Sequence, residues 1–315
     1  MIYKKRFFFM IVFFYVQIFI PQIKIVSAED VSRFSFAVVA DPRDRGDTWK
    51  NALIEIRDMK TNPDPKFNPV EFIIVAGDID PLETRYNEFK DIFNNFKKIQ
   101  LFPVIGNHEF EDNKKHYIYA RDIIIPNIHG LVPRHDKSCD YYFDYKNVRI
   151  IAIDGYSELG KDGVINSRGV EWLEQIIKST PSSVNHIFIS YHSPVFPRFN
   201  HTDFESIKER EALWNMLVRY NDRVRAVFNG HTHFYYRMRI LNPSGSSVND
   251  QTSFPDEANG IFQVDAGAVG RGILSTIVKV QVDGSDLFFR VFQAENGTGK
   301  IFRLIDEWNF KSSDK

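Results

Sequence analysis

Five short apolar runs punctuate the chain, and each stops at a cluster of polar residues. Phe34-Ser35-Phe36-Ala37-Val38-Val39-Ala40 gives way to Asp41-Pro42-Arg43, and Phe72-Ile73-Ile74-Val75-Ala76 to Gly77-Asp78. Leu101-Phe102-Pro103-Val104-Ile105 runs into Gly106-Asn107-His108-Glu109. Ile187-Phe188-Ile189-Ser190 ends at Tyr191-His192-Ser193-Pro194, and Val224-Arg225-Ala226-Val227-Phe228 at Asn229-Gly230-His231-Thr232-His233. Runs of this length with little polar alternation read as strands covered on both faces. The segments between them carry helical spacing: Trp49, Leu53 and Ile56 over 49–59, then Tyr86, Phe89, Phe93 and Phe96 over about 84–97. Further helices are expected at 168–178 and about 204–220. Strand-helix-strand order defines an α/β fold, in which the carboxyl ends of parallel strands share the edge where sites are built.

The remaining pattern is less regular. Residues 110–140 are charged and irregular, as in a lid or rim insertion. Strands at 141–145 and 148–153 lead to Asp154-Gly155. Beyond His233, alternating segments at 234–241, 260–266, 273–281 and 286–292 follow one another without helices, so a largely antiparallel sheet is expected there. No shift of composition marks a second domain, and residues 29–315 read as one.

The first 28 residues stand apart. Lys4, Lys5 and Arg6 precede the apolar run Phe7 to Ile20, Pro21 interrupts it, and Val26-Ser27-Ala28 supplies small residues before Glu29. That order is the one a secretory signal peptide has, and the apolar core falls short of the ~20 residues that span a bilayer. Export to the periplasm or the extracellular space is therefore expected, with no stable membrane span in the mature chain. An uncleaved anchor is the competing reading. Loss of Lys4, Lys5, Arg6 and Lys24 takes the 40 basic residues to 36 against 41 acidic ones, a net charge of −5. Such a balance gives no reason to expect nucleic-acid binding. Cys139 is the single cysteine, so no intramolecular disulfide forms, and it reads as core filler.

The polar clusters carry the candidate chemistry. Gly106-Asn107-His108-Glu109 alone reads as a turn as readily as a site. Asp41, Asp78, Asn107, His192 and the pair His231/His233, however, all sit where strand ends of one fold converge. Carboxylate, amide oxygen and imidazole together suit Mn, Fe or Zn rather than Ca or Mg. The absence of thiolates excludes a structural zinc finger.

In order, these motifs resemble the calcineurin-like metallophosphoesterases, a superfamily that includes the purple acid phosphatases. The resemblance covers about residues 33–293 and is most specific at Gly106-Asn107-His108-Glu109 and Gly230-His231-Thr232-His233. It implies a four-layer α/β/β/α sandwich, with two mixed sheets face to face and helices outside. It also implies two metal ions sharing Asp78, one held with Asn107, His192 and His231 and the other with Asp41 and His233. Such a pair clamps the attacking and leaving oxygens and activates a hydroxide for in-line attack on phosphorus. His108 would then protonate the leaving oxygen or stabilise phosphoryl charge.

Two positions depart from the family pattern. Arg43 stands where the first motif usually has a histidine ligand, and a guanidinium offers only donors. Arg43 therefore reads either as a phosphate clamp or as a partner of Asp44. Pro81 stands three residues beyond Asp78, where relatives have a carboxylate, an amide or the purple-enzyme tyrosine. Asp80 or Glu83 is left to support His108, and Arg168 and His201 read as surface residues. The expected function is metal-dependent hydrolysis of phosphate mono- or diesters. The alternative is a catalytically weak protein of this fold that binds a phosphorylated ligand or partner at the cell envelope.

Overall fold

The computed structural model describes residues 33–61, 70–94, 99–112, 114–197, 207–244, 256–294 and 300–311. Residues 1–28, expected from the sequence to be a signal peptide, and His201 lie outside the described residues. The strands are β1 (Arg33–Val39), β2 (Val70–Val75), β3 (Gln100–Pro103), β4 (Leu131–Pro133), β5 (Tyr141–Tyr145), β6 (Val148–Ala152), β7 (Gly160–Lys161) and β8 (Val164–Ile165). They continue with β9 (His186–Ser190), β10 (Val224–Asn229), β11 (Tyr235–Ile240), β12 (Ile261–Ala266), β13 (Ser275–Asp283), β14 (Asp286–Ala294) and β15 (Phe302–Phe310). The α-helices are α1 (Gly46–Thr61), α2 (Leu82–Phe93), α3 (Lys114–Tyr119), α4 (Ser167–Lys178) and α5 (Ile207–Val218).

One sheet has the order β15-β14-β13-β1-β2-β3 and the other β11-β12-β10-β9-β6-β5-β4, with β7 and β8 forming a separate hairpin. The strands that end in the polar clusters are parallel: β1 with β2, β2 with β3, and β9 with β10. Phenylalanine fills the space between the sheets. Phe36 of β1 stacks on Phe72 at 5.0 Å and meets Phe188 of the other sheet edge-on at 5.3 Å. Phe102 stacks on Phe143 across the same gap at 3.8 Å. The neighbouring side chains of β9, Ile187 and Ile189, face outward and are buried with Leu173 and Ile177 of α4 and Leu213, Trp214 and Leu217 of α5. On the opposite outer face, Trp49, Leu53 and Ile56 of α1 and Phe89 and Phe93 of α2 join the core. This double coverage is why these strands read as continuous apolar runs. The result is the expected four-layer sandwich.

Three expectations need correction. Residues 108–112 and 114–127 are helical rather than irregular: a π-helical turn over His108–Asp112, then α3, a second such turn over Ala120–Ile124 and a 3-10 turn over Ile125–Asn127. The segment anchors itself by burying Ala120, Ile124 and Ile125. The C-terminal strands do not form one antiparallel sheet. β11 and β12 extend the second sheet, where β12 runs parallel to β10, while β13, β14 and β15 extend the first. The strand β15 had no counterpart in the pattern. Its Trp308 stacks on Phe289 at 4.7 Å, and its Asp306 accepts hydrogen bonds from Tyr235 and Arg237 of the facing sheet. Cys139 is buried and Arg168 is exposed at the start of α4, as expected. No helix among the described residues is long and apolar enough to cross a membrane.

Candidate metal centre

The two sheets bring their carboxyl edges together at one end of the sandwich. Asp41, Asp78 and Asn107 follow β1, β2 and β3 of the first sheet; His192, His231 and His233 follow β9 and β10 of the second. Backbone hydrogen bonds stitch these loops to each other. Asp41 N–H donates to Gly77 O (3.1 Å), Gly230 N–H to His192 O (3.0 Å), and His231 N–H to the Asp41 carboxylate (3.0 Å). The approach is so close that it dictates glycine beside the ligand positions. A Cβ on Gly106 would lie 2.3 Å from Asp78 Oδ1, and one on Gly77, already at φ +94°, would lie 2.2 Å from His192 Nδ1. Asp41, Asp78, His231 and His233 themselves adopt left-handed backbone, with φ of 51°, 54°, 72° and 64°. Non-glycine residues held there cluster at functional sites.

Asp41, Asp78 and His192 form the tightest group, with one ligand atom from each within 4.8 Å of the others. Asp78 Oδ1 lies 3.3 Å from His192 Nε2, which lies 3.3 Å from His231 Nδ1. Asp41 Oδ1 lies 3.5 Å from His233 Nε2. His192 Nδ1 is 2.7 Å from Ala76 O; when neutral the ring donates there and turns the Nε2 lone pair to the centre. Among the described residues, Asp41 Oδ1 and Asn107 Oδ1 are buried oxygens without a hydrogen-bond partner. Burying such acceptors unpaired is unfavourable, and a cation satisfies them. The donor set fits metal ions.

Charge points the same way. Burial pushes the Asp41 carboxyl well above its usual range, with His192 opposing and Asp78 and Asp265 adding to the push. For Asp78, burial is outweighed by His192 and His108, which hold its carboxyl below the usual value. Burial alone would depress His192, but Asp78 and Asp41 raise it to about 10, so the two carboxylates draw positive charge to themselves. His233 is pushed down to about 4 by burial and by Arg271, His192 and Arg43, against the pull of Asp78. It is therefore neutral at physiological pH, with a lone pair to offer.

His108 sits at the rim, with its backbone N–H on Asp78 Oδ1 (3.2 Å) and its Nε2 3.8 Å from Asp78 Oδ2. Of its two expected supports, Glu83 is exposed in the first turn of α2, and Asp80 places Oδ1 3.9 Å from Arg43 Nε. Arg43 has acidic neighbours on both sides. Its Nε is 3.6 Å from Asp44 Oδ1, and its Nη1 faces the centre, 3.7 Å from Asp78 Oδ2.

Sequence reasoning gave no role to Glu109 or Asp265. Glu109 is fully buried and accepts from Asp78 N (3.0 Å), Ile79 N (2.6 Å) and Gly106 N (2.8 Å). It locks the loop after β2 to the loop after β3. Asp265 of β12 accepts from Thr232 Oγ1 (2.5 Å) and Gly267 N (3.0 Å), which fixes the turn carrying His231 and His233. Glu109 was legible as part of the motif; Asp265 lies in a strand with no signal of its own.

The sequence model of the family described as calcineurin-like phosphoesterase matches residues 34–235, a stretch containing all eight expected site residues. The chain belongs to that family. It is similar to the mouse cyclic GMP-AMP phosphodiesterase SMPDL3A, 23% identical over 232 residues, which cover 67% of this chain and 48% of that protein. The chain thus spans about half the length of this curated relative. Among solved structures, a dimetal phosphatase from Danio rerio superposes with a TM-score of 0.53 at 14% identity, covering 88% of this chain and 98% of that one. PhoD gives a TM-score of 0.53 at 10% identity, covering 88% and 72%. These two likenesses are of fold.

Proposed function

We propose that the chain is an exported enzyme that hydrolyses phosphate mono- or diesters at this centre. The observation that carries the reading is the convergence of Asp41, Asp78, Asn107, His192, His231 and His233 from both sheets, with buried oxygens that lack hydrogen-bond partners among the described residues. Asp78, Asn107, His192 and His231 would hold one ion, and Asp41, Asp78 and His233 a second, with Mn, Fe or Zn suiting the donors. Bound there, the ions supply Lewis-acid polarisation of the phosphoryl group and a water acidic enough to act as nucleophile near neutral pH.

The protein groups do the rest. His108, part-exposed beside Asp78, gives a proton to the departing oxygen. Arg43 directs guanidinium N–H groups toward the phosphoryl oxygens, a contact that a planar fork of donors suits. Glu109 and Asp265 act as positioning residues through the loops they tie. Export follows from the order of charged, apolar and small residues over 1–28.

One observation favours a second reading, a phosphate-recognising protein with weak turnover: an arginine, rather than a ligand, follows Asp41. The test is turnover of 4-nitrophenyl phosphate and bis(4-nitrophenyl) phosphate by chelator-stripped protein resupplied with Mn, Zn or Fe. Hydrolysis restored by metal, with Arg43→Ala raising KM or lowering kcat, supports the enzyme. Bound ions without turnover on any ester would replace it with the binding protein.

A further inference from the structure

The two halves of the centre are unequal. Asp78, Asn107, His192 and His231 amount to four donors, a complete set for an ion such as zinc. The other half has Asp41, His233 and a share of Asp78, and the position that would complete it carries Arg43. The Arg43 side chain is only 15% exposed, and its Nη1 approaches Asp78 Oδ2 at 3.7 Å. Asp78 is thereby divided: Oδ1 faces His192 Nε2, while Oδ2 faces Arg43 and His108.

Arg43 is fixed from behind. The loop at Gly270 presses so close that a Cβ there would lie 2.3 Å from Arg43 O and 2.6 Å from Pro42 C. Next to it, Arg271 N–H donates to Asp41 O (3.1 Å), and the Arg271 side chain pairs with Asp44. Asp44 therefore already answers one guanidinium. The contacts from Arg43 Nε to Asp44 and Asp80, at 3.6 and 3.9 Å, are longer than hydrogen bonds, and Nε has no hydrogen-bond partner among the described residues. Arg43 and Arg271 both lie within electrostatic reach of His233. A cation entering beside Asp41 and His233 thus meets fixed positive charge and a short donor set.

We propose that Arg43 stands in for the second metal ion, so that the chain holds one ion tightly and a second about 100-fold more weakly. The guanidinium supplies the fixed positive charge opposite Asp78 that the second ion would otherwise provide. This inference rests on the metallophosphoesterase reading of the site.

Metal stoichiometry tests it without recourse to activity. Chelator-stripped protein is titrated with Zn²⁺ by equilibrium dialysis and calorimetry. Wild type should take up one ion per chain in the tight step. Arg43→His, which adds a donor and removes the charge, should bind two ions with affinities within about tenfold of each other. Arg43→Gln, which removes the charge alone, should strengthen the weaker step by about tenfold. Retention of the tight first step shows that each variant keeps the centre intact. Two ions of comparable affinity in wild type would overturn the role of Arg43 and leave the phosphoesterase reading standing. No tight ion at all would sink the ligand assignment and, with it, both proposals.

Discussion

The space between the sheets and the edge where the sheets end are built by the same strands and obey opposite rules. Between the sheets, β1, β2, β9 and β10 present Phe36, Phe72, Phe188 and Phe228, packed in stacked and edge-on pairs 5.0–6.2 Å apart. A few residues later those strands deliver Asp41, Asp78, His192 and His231 into loops that bury charge and hold left-handed backbone. Apolar burial stabilises by roughly 25 cal/mol per Å², whereas each left-handed non-glycine residue costs on the order of 1–3 kcal/mol. The core thus over-determines the loops, and the loops can be arranged for binding rather than for stability. Changes in the two regions should separate cleanly in their effects.

The largest expected loss of stability is in the core. Phe36→Ala leaves a cavity where three other rings converge and should cost about 3–5 kcal/mol, read as a fall in the denaturant midpoint, while the folded fraction keeps its metal affinity. Loss of metal affinity in folded Phe36→Ala would mean that the two regions are not separable. Glu109→Gln lies between the regions. Gln retains one acceptor for three backbone N–H groups, so stability should fall by about 1–3 kcal/mol and metal binding should weaken with it. Unchanged metal binding would remove Glu109 from its positioning role.

A pH-dependent effect concerns Asp154, which follows β6 and is not among the proposed ligands. Burial, then Asp140, push its carboxyl up to about 7 from the ordinary aspartate value of about 4, against the pull of Ser157, Tyr117 and the Tyr156 N–H. Between those values the folded chain keeps a proton that the unfolded chain has released. This group's contribution to stability therefore falls as pH rises from about 4 to about 7 and is level above that. Asp154→Asn should be stabilised relative to wild type more at pH 8 than at pH 4, measured by thermal unfolding at both. An equal gain at both values would contradict the assignment.

Much of this is legible in the sequence alone. Parallel strands buried on both faces announce themselves as unbroken apolar runs, and each run's last residue fixes which groups share the sheet edge. That made Asp41, Asp78, Asn107, His192, His231 and His233 visible together. What escaped depends on contacts rather than pattern. Asp265 serves the centre through Thr232, a partner 33 residues distant in sequence. β15 is a half-exposed edge strand whose alternation is interrupted by Asp306, the residue that ties it to the other sheet. The helical turns over 108–127 bury too few apolar residues to leave a periodic signature. The direction taken by Arg43 depended on where Gly270 and Arg271 pack, which no local motif records.

The most direct measurement is ester turnover and thermal stability on the same samples of wild type and Asp78→Asn, each stripped and then resupplied with metal. Asp78 is nearly inaccessible and central to the proposed ligand set, but it lies outside the aromatic core. The account predicts metal-dependent hydrolysis by wild type, a fall in kcat on the order of 1000-fold in Asp78→Asn, and a cooperative thermal transition in the variant showing that it still folds. Hydrolysis that survives Asp78→Asn, or that proceeds equally without metal, would contradict the claim that this centre does the chemistry.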